Sequence, residues 1–561
     1  MISVSGKKWS EKKLNDRVVE KISLENKFSY DLSKIILSRN YSVNELNELK
    51  HKFEFNNPFF NKKEFLKARD LLIDIIKKKE LILIYGDYDV DGVSSTSILV
   101  NFFNHLKNPN YYLIPNRFND GYGPNLNLIK KNLKKNTKIV IFVDCGSNSQ
   151  EIINFLKKKN IEVLIIDHHY INNKLDQDLN IINPMKNPKD FMNQNICAAA
   201  LTFYLVDLLN DKLKKKVNIY DFLFFALLGT ICDLMPLRHS NKHISMIALN
   251  KFNRIENLGI KQLLDYLSLK RSISYTDISY LIGPMINSPG RIKDANISVE
   301  LFCSKNLNKI KKIIEEIHFL NVKRKKIEKY CIKLINLKQY DTKDEVIFEV
   351  NNLFHEGILG IIAGKLKDEL NRPAFILTNS INFYKGSVRS TNEFKLNVLF
   401  NKLLNLKLIE SGGGHNMAAG FVVKREKLKK LKEFINIEYQ KSKKNNIFYY
   451  DFKILLPKND SAIFNDLKKL EPFGYKNQQP LFLFENLRSI KTKIINNQHI
   501  NCILKNNENR SFHSIAFDAV DTPIGNYLLN FKKKFSLIGT IDQYSWDGKK
   551  KNQIIIKDLL I

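Results

Sequence analysis

Gly86-Asp87-Tyr88-Asp89-Val90-Asp91-Gly92 packs three carboxylates into five residues, and Asp167-His168-His169 sets a carboxylate beside two imidazoles. Carboxylates crowded this closely cannot all stay ionised without a cation. Two further acids fit the same pattern: Asp144 in Val143-Asp144-Cys145-Gly146 and Asp233 in Gly229-Thr230-Ile231-Cys232-Asp233. Together the set offers enough oxygen and nitrogen donors for two divalent ions. Mixed carboxylate and imidazole ligation favours Mn²⁺, with Mg²⁺ as the harder, oxygen-preferring alternative. Two such ions roughly 3.5–4 Å apart would polarise a phosphodiester and deprotonate a water for in-line attack.

Duller readings compete for the same residues. Asp87-x-Asp89-x-Asp91-Gly92 looks like the start of an EF-hand loop, but the twelfth residue counted from Asp87 is Ile98, where that loop needs a bidentate acid. Asp89-Val90-Asp91-Gly92-Val93 after a strand also suits a haloacid-dehalogenase nucleophile, a reading that leaves Asp167-His168-His169 unexplained. Asp144 or Asp233 alone could cap a helix, and any single acid could sit in a surface turn.

The elements that position these residues read clearly. Apolar runs at 81–85, 139–143 and 161–166 end just before the cluster opened by Gly86, before Asp144 and before Asp167, and they read as buried parallel strands. Helices at 94–106, 126–133 and 149–159 alternate with them, and a short strand is expected at 111–115. This is the alternation of a doubly wound, mostly parallel α/β sheet, which places its ligands at the carboxyl ends of the strands. A mostly helical segment (1–75) precedes this domain (76–240). A helical connector (241–340) follows, with a long, charge-rich helix at 305–336 that reads as solvent-exposed. A second, smaller α/β domain occupies 341–430, with a helix expected at 355–370. Short alternating strands over 446–561 read as a small β-barrel.

The 561-residue chain has a formal net charge of +32, which suits a polyanionic partner. The chain is also crowded with Lys, Asn and Ile, and lysine runs such as 214–216 and 427–432 read as solvated helix faces, so the charge alone does not select nucleic acid. No apolar run approaches the roughly 18 residues of a membrane span, and residues 1–13 are polar and basic, unlike a signal peptide. The six cysteines are scattered without Cys-x-x-Cys spacing, which argues for a reducing cytoplasm and against a disulfide framework or zinc site.

In order and spacing, Gly86 to Gly92, Asp144, Asp167-His168-His169 and Asp233 resemble the four motifs of the DHH phosphoesterase superfamily. Over almost its whole length the chain is similar to the branch of bacterial single-strand-specific 5′→3′ exonucleases. Ile114-Pro115-Asn116-Arg117 with Gly121-Tyr122-Gly123, and Gly283 to Arg291, resemble further segments of that family. So do His355-x-Gly357 with Gly360, Gly386-Ser387-Val388-Arg389-Ser390, and Gly412-Gly413-Gly414-His415 with Ala418-Ala419-Gly420, which match its DHH-associated domain. Leu470-Glu471-Pro472-Phe473-Gly474 resembles the opening of its OB-fold and Ser545-Trp546-Asp547-Gly548 the end. Phe354 stands where relatives usually carry Trp, and Ile196-Cys197-Ala198-Ala199-Ala200 replaces a glycine-richer segment.

The resemblance implies roles. Asp89, Asp91, Asp144, His168 and Asp233 would ligate two metal ions, with Asp87 a ligand or a partner of one, and Asp144 and His168 would thereby serve catalysis. His169 would contact the scissile phosphate or protonate the leaving group. Arg117, Arg291, Ser387 and Arg389 would hold a 5′-phosphate, with Gly386 allowing close backbone approach. His415, in a glycine-rich turn, would lie near the sugar or base, although Gly412 to Gly414 also suit a simple tight turn. His355 would bind substrate or merely cap a helix. Phe512, Phe517, Tyr544 and Trp546 are stacking candidates on the barrel. The implied activity is 5′→3′ degradation of single-stranded DNA to 5′-mononucleotides, in DNA repair and recombination, by a cytoplasmic monomer. A single-strand-binding protein and a helicase are the expected protein partners, with no membrane. Two alternatives stay open: a DHH phosphodiesterase for oligoribonucleotides or cyclic dinucleotides, and a non-catalytic single-strand-binding replication partner.

Overall fold

A computed structural model describes residues 2–561 except 51–54, 172–177, 193, 215–216, 270–272, 337–339, 341–344, 381, 443–446, 456–461, 531–533 and 547–548. The chain forms two units, one of residues 56–235 and 247–444, the other of residues 1–55, 236–246 and 445–561.

In the first unit, apolar runs without alternation become strands buried on both faces. They are β1 (Leu81–Gly86), β2 (Asn110–Leu113), β3 (Thr137–Val143), β4 (Glu162–Ile166) and β5 (Asn180–Ile182). All pair in parallel, in the order β2-β1-β3-β4-β5. The chain direction across the sheet reverses beside β1, so a crevice opens where β1 and β3 end. Helices α1 (Val90–His105), α2 (Ala198–Leu213) and α3 (Ile219–Cys232) pack on one another, and each is buried almost all round.

The connector is helical, and its long helix α5 (Leu307–Lys333) follows the shorter α4 (Gly283–Ile292). Its charge density suggested a solvent-exposed rod. Instead Ile310, Ile313, Ile314 and Ile317 are buried, and so are Arg324 and Glu328. Arg324 Nη1 donates to Glu328 Oε2 at 2.7 Å, and Lys365 lies 2.5 Å from Glu328 Oε1, so the burial is possible because the charges are paired. The 355–370 segment divides into a short 3₁₀ turn, Glu356–Ile358, and α6 (Leu359–Leu370). The second sheet contains β6 (Ile347–Val350), β7 (Ala374–Ser380), β8 (Phe383–Arg389), β9 (Ser411–His415) and β10 (Ala418–Lys424), in the order β9-β10-β8-β7-β6. Only the β6–β7 pair is parallel.

In the second unit, five strands close into a barrel. Phe482–Ile495 pairs with His499–Lys505, then Ser511–Ala516, Lys549–Leu560 and Phe535–Trp546, which returns to the first. This agrees with the OB-like expectation. A short sixth strand, Phe452–Lys453, joins the edge of this sheet beside Phe482–Leu483. The amino-terminal segment is not wholly helical: Lys8–Glu11 forms a strand parallel to Ile447–Tyr450. The reason lies in Trp9, which is 6% exposed and whose indole N–H donates to Asp558 Oδ2 at 2.8 Å. Helices Asp16–Asn26 and Tyr30–Ser38 follow, and Leu32, Ile35 and Ile36 share a core with Phe482, Leu504 and Leu537. Phe512 is part of that core and Phe517 is half exposed, while the side chains of Tyr544 and Trp546 lie outside the described residues.

Helix Val43–Glu48 ties residues 236–246 into this unit. Its Ser42/Glu45 capping box is complete, and buried Glu45 also accepts from Arg238 Nε and, at 2.7 Å, from Arg238 Nη2. Arg238 stacks over the Tyr41 ring at 4.4 Å. Burial alone would raise the Glu45 carboxyl, but the hydrogen bonds from Arg238 and Ser42 win and hold it at about 2. A carboxyl lowered on folding stabilises above its unfolded value, roughly 4.3, and that stabilisation fades as pH falls toward the folded value. Between pH 5 and pH 3 the wild type should therefore lose about 1–2 kcal/mol more than Glu45→Gln, after discounting for the part-exposed Arg238. Urea melts of both proteins at the two pH values check this, and parallel losses would remove the pair from the stability account.

Among the described residues no helix is long and apolar enough to cross a membrane, and all six cysteines are free thiols.

Candidate metal centre and adjoining arginine cluster

The crevice at the ends of β1, β3 and β4 gathers the acids that the sequence singled out. Asp87 directly follows β1 and is 2% exposed. Asp89 caps α1, its Oδ1 accepting from Asp91 N at 2.9 Å and Gly92 N at 3.1 Å. The helix-cap reading and the ligand reading thus coexist at Asp89, because the second oxygen takes no part in the cap. Asp91, in the first turn of α1, accepts from Ala198 N at 2.7 Å and Ala199 N at 2.9 Å. The amino end of α2, in the segment that departs from the family pattern, therefore fixes this carboxylate.

Asp144 follows β3 with φ +60, a left-handed conformation that Asp tolerates better than most residues. Its amide donates to Ile166 O at 2.9 Å, which locks the turn onto β4. Asp233 sits just past the carboxyl end of α3, and its Oδ2 is buried without a hydrogen bond. His168 Nε2 lies 3.2 Å from Asp144 Oδ1, 3.3 Å from Asp233 Oδ2 and 3.7 Å from Asp91 Oδ2.

Three overlapping sets could each hold an ion, with donor atoms within 4.8 Å of one another: Asp87, Asp89 and Asp144; Asp91, His168 and Asp233; and Asp144, His168 and His169. Burial pushes the carboxyls of Asp87, Asp91, Asp144 and Asp233 upward, and neighbouring carboxylates push them further. Buried Asp87, Asp91 and Asp144, with part-exposed Asp233 whose Oδ2 makes no hydrogen bond, form a donor set that a divalent cation fits.

Asp167 behaves differently. Its Oδ1 accepts from His168 N at 2.7 Å, His169 N at 3.1 Å and His169 Nδ1 at 2.7 Å, and its Oδ2 from Ser147 N at 3.1 Å. Burial opposes its charge, but these donors and the His169 charge hold the carboxyl well below the usual range. The same pairing outweighs burial at His169 and raises its imidazole to about 9. Asp167 thus orients His169 and presents its Nε2 toward the crevice, where the Tyr122 hydroxyl stands at 2.9 Å. Sequence reasoning named Asp167 and Tyr122 within motifs but gave neither a role. A carboxylate one residue before a His pair was the available signal for Asp167.

Three guanidiniums adjoin this centre. Arg117 Nη1 and Arg291 Nη1 each donate to the same carbonyl, Gly357 O, at 3.3 Å. Arg117 Nε is buried without a partner. Arg389, at the end of β8, donates from Nη1 to Val388 O at 3.0 Å and reaches Ser387 Oγ at 3.5 Å. Burial lowers Arg291 to about 9, with Arg117, Arg389 and Arg324 adding to the effect, and burial and Arg117 lower Arg389. None of the three forms an ion pair with a carboxylate among the described residues. A half-buried, mutually repelling cationic cluster with a buried donor lacking a hydrogen bond is matched to an anion.

Gly357 must be glycine, since a Cβ would meet Arg291 O at 1.9 Å. His355 Nδ1 accepts from Gly357 N at 3.1 Å, so it caps the 3₁₀ turn beside Arg117, and its ring meets Phe118 edge-on at 5.6 Å. Gly386 lies within β8, where a Cβ would come 2.3 Å from the Phe421 ring, so packing accounts for its lack of a side chain. Gly412 to Gly414 lie in β9, a hairpin strand rather than a tight turn, and the side chain of His415 lies outside the described residues.

Three family models match in succession: DHH family, N-terminal domain, over residues 81–230; DHHA1 domain over 343–441; and RecJ OB domain over 450–558. The chain is similar to the single-stranded-DNA-specific exonuclease RecJ of Bacillus subtilis, at 27% identity over 91% of this chain and 64% of that protein. It is similar to the Escherichia coli protein of the same name at 25% identity, over 88% and 89% of the two chains. The chain thus spans a little under two thirds of the first of these relatives. A crystal structure of RecJ from Thermus thermophilus in complex with Mn²⁺ shares the fold, with a TM-score of 0.81, 21% identity, and coverage of 98% of this chain and 79% of that one. A structure of the same protein with Mg²⁺ gives a TM-score of 0.76. Residues 81–230, 343–441 and 450–558 thus match, in this order, a DHH N-terminal domain, a DHHA1 domain and a RecJ OB domain.

Proposed function

We propose that the protein is a metal-dependent exonuclease that degrades single-stranded DNA in the 5′→3′ direction to 5′-mononucleotides, in DNA repair and recombination. One observation supports this most: a carboxylate–imidazole cluster and an anion-seeking arginine cluster stand side by side in one unit. Arg117 touches both, lying over Tyr88 beside Asp87 and Asp89 while donating to Gly357 O.

Asp87, Asp89, Asp91, Asp144, His168 and Asp233 would hold two divalent ions, Mn²⁺ or Mg²⁺. Bound there, such ions supply a nucleophilic hydroxide at neutral pH and offset charge on the phosphodiester. The chain's own side chains do the rest. Arg117, Arg291, Arg389 and Ser387 bind the 5′-phosphate and so choose the end of the strand. His169, held protonated on Nδ1 by Asp167, offers Nε2 to the scissile phosphate or the leaving oxygen. His355 steadies the Gly357 carbonyl that orients two of the guanidiniums. His415 on β9 and Gly386 on β8, two strands separated by β10, would lie nearest the sugar and base in this reading. The barrel would hold the incoming strand, with half-exposed Phe517 as a stacking candidate.

A monomer is the proposed state. The cytoplasm, where single strands arise during repair, is the proposed location, with a single-strand-binding protein and a helicase as partners that supply the strand. The test is digestion of single strands labelled at either end, with Mn²⁺. The expected result is early release of the 5′ label as a mononucleotide. Early release from the 3′ end, or cleavage of a duplex at equal rate, would refute the reading.

A further inference from the structure

His169 is held by more than its bond to Asp167. A closed ring of hydrogen bonds through four residues joins the ends of three neighbouring strands. Asn183 lies 14 residues beyond His169, outside the acidic and glycine-rich segments. It directly follows β5, and Ile182 O accepts from Asp167 N at 3.0 Å, so strand register sets Asn183 beside the Asp167-His168-His169 turn. Asn183 Nδ2 donates to His169 O at 3.0 Å and to Ser147 Oγ at 2.8 Å. Ser147, in the turn after β3, donates its amide to Asp167 Oδ2 at 3.1 Å. Asp167 Oδ1 accepts from His169 Nδ1 at 2.7 Å, which closes the ring. Asn183, Ser147 and Asp167 are each 1% exposed, whereas the His169 side chain is 27% exposed. Three buried side chains thus anchor one imidazole that reaches the crevice.

A simpler role for Asn183 is to open its own loop, since its Oδ1 accepts from Met185 N at 2.7 Å. That role uses the oxygen alone. The amide nitrogen leaves the loop and reaches across the end of β4 to the turn after β3. With a backbone N–H on its oxygen and a backbone carbonyl on its nitrogen, the amide has one orientation. An aliphatic side chain could make none of these bonds, and a carboxylate would set an oxygen against the His169 carbonyl. We propose, resting on the exonuclease reading, that Asn183 is a positioning residue. It fixes the His169 main chain directly and the ring through Ser147 and Asp167, in the place from which the imidazole meets the reacting phosphate. A misplacement of about 1 Å at such a group can cost about 10²-fold in rate. Among the described residues, the Asn183 side chain bonds to none of the six proposed metal donors and to none of the three arginines. Ion binding and strand binding therefore do not pass through it.

The test uses the full-length protein with Mn²⁺ and 5′-phosphorylated single strands. Asn183→Ala should lower kcat about 10- to 100-fold, leave KM within about twofold, and keep the wild-type rise in melting temperature on adding Mn²⁺. Asn183→Asp keeps the volume and the oxygen that Met185 N needs. It should lose kcat in the same range, and it carries the test if the alanine variant fails to fold. In a His169→Gln background, followed by single-turnover rates, replacing Asn183 should cost no more than about twofold further, because the group it places is gone. A wild-type kcat in a folded variant, an equal drop in both backgrounds, or a loss carried by KM or by the Mn²⁺ shift overturns the proposal. If the wild type releases nothing from a 5′ end, the exonuclease reading itself has failed, a result distinct from these.

Discussion

Asp144→Asn should abolish hydrolysis and yet melt higher than the metal-free wild type. Asparagine keeps the volume and tolerates the left-handed backbone at φ +60, so the fold is preserved. What it removes is one of four carboxyls that burial and neighbouring carboxylates raise. A carboxyl raised on folding opposes stability as pH rises through the unfolded value, because the folded state holds protons that the unfolded chain releases. Without metal, wild-type stability relative to the variant should therefore fall between pH 5 and pH 8. Saturating Mn²⁺ should reverse the order. An ion at about 100 times its Kd adds roughly 2.7 kcal/mol to the state that binds it, and the variant should gain much less. Activity should drop at least ~10³-fold, about 4 kcal/mol in barrier. Thermal melts with EDTA and with Mn²⁺, beside single-strand digestion, check all three. A variant with full activity and an undiminished Mn²⁺ shift would take Asp144 out of the site.

The second large effect is expected at Arg389. Arg389→Met keeps the apolar stem and removes the fork. On 5′-phosphorylated strands kcat/KM should fall about 10²- to 10³-fold, the loss expected for one or two charge-assisted hydrogen bonds at roughly 1.5–3 kcal/mol each. The ratio of rates on 5′-phosphate and 5′-hydroxyl strands should collapse toward one. Arg389→Lys should recover only part of it, because an ammonium cannot present the planar fork. The ligand-free variant should be no less stable than wild type, since Arg117 and burial both work against the Arg389 charge. Inorganic phosphate should raise the wild-type melting temperature more than that of the variant. A 5′-phosphate preference that survives in Arg389→Met would place end recognition elsewhere.

Local chemistry decided which features could be read without coordinates. The strands before Asp87, Asp144 and Asp167 were legible because parallel strands buried on both faces are continuous apolar runs, and an acid at such an end has few reasons to be there. Four of the barrel's five strands were legible at least in part as alternation, whereas the lysine-rich start of Lys549–Leu560 gave no such signal. The strand at Lys8–Glu11 was not, because its partner lies more than 430 residues away and only Trp9 marks an inward face. Helix α5 misled for a related reason: Arg324 and Glu328 satisfy each other, and a pairing of buried charges at i and i+4 looks the same in sequence as a solvated one. Gly386 was assigned to substrate approach, whereas the ring that needs its space, Phe421, is brought there by strand register. Asp167 and Asp91 look equivalent in sequence. Only the donors around them, imidazole and backbone amides for one, the α2 amino end and His168 for the other, give them different tasks.

The shared carbonyl of Gly357 has a wider consequence. All six proposed metal donors precede residue 234, while the proposed 5′-phosphate pocket is completed by groups from beyond residue 345. The proposed metal donors are thus confined to the earlier stretch, whereas the proposed pocket draws on both, with Arg117 before residue 234 and Ser387 and Arg389 after residue 345. Drift in the later stretch can change which terminus, or which terminal group, is accepted without disturbing a single donor in the earlier one.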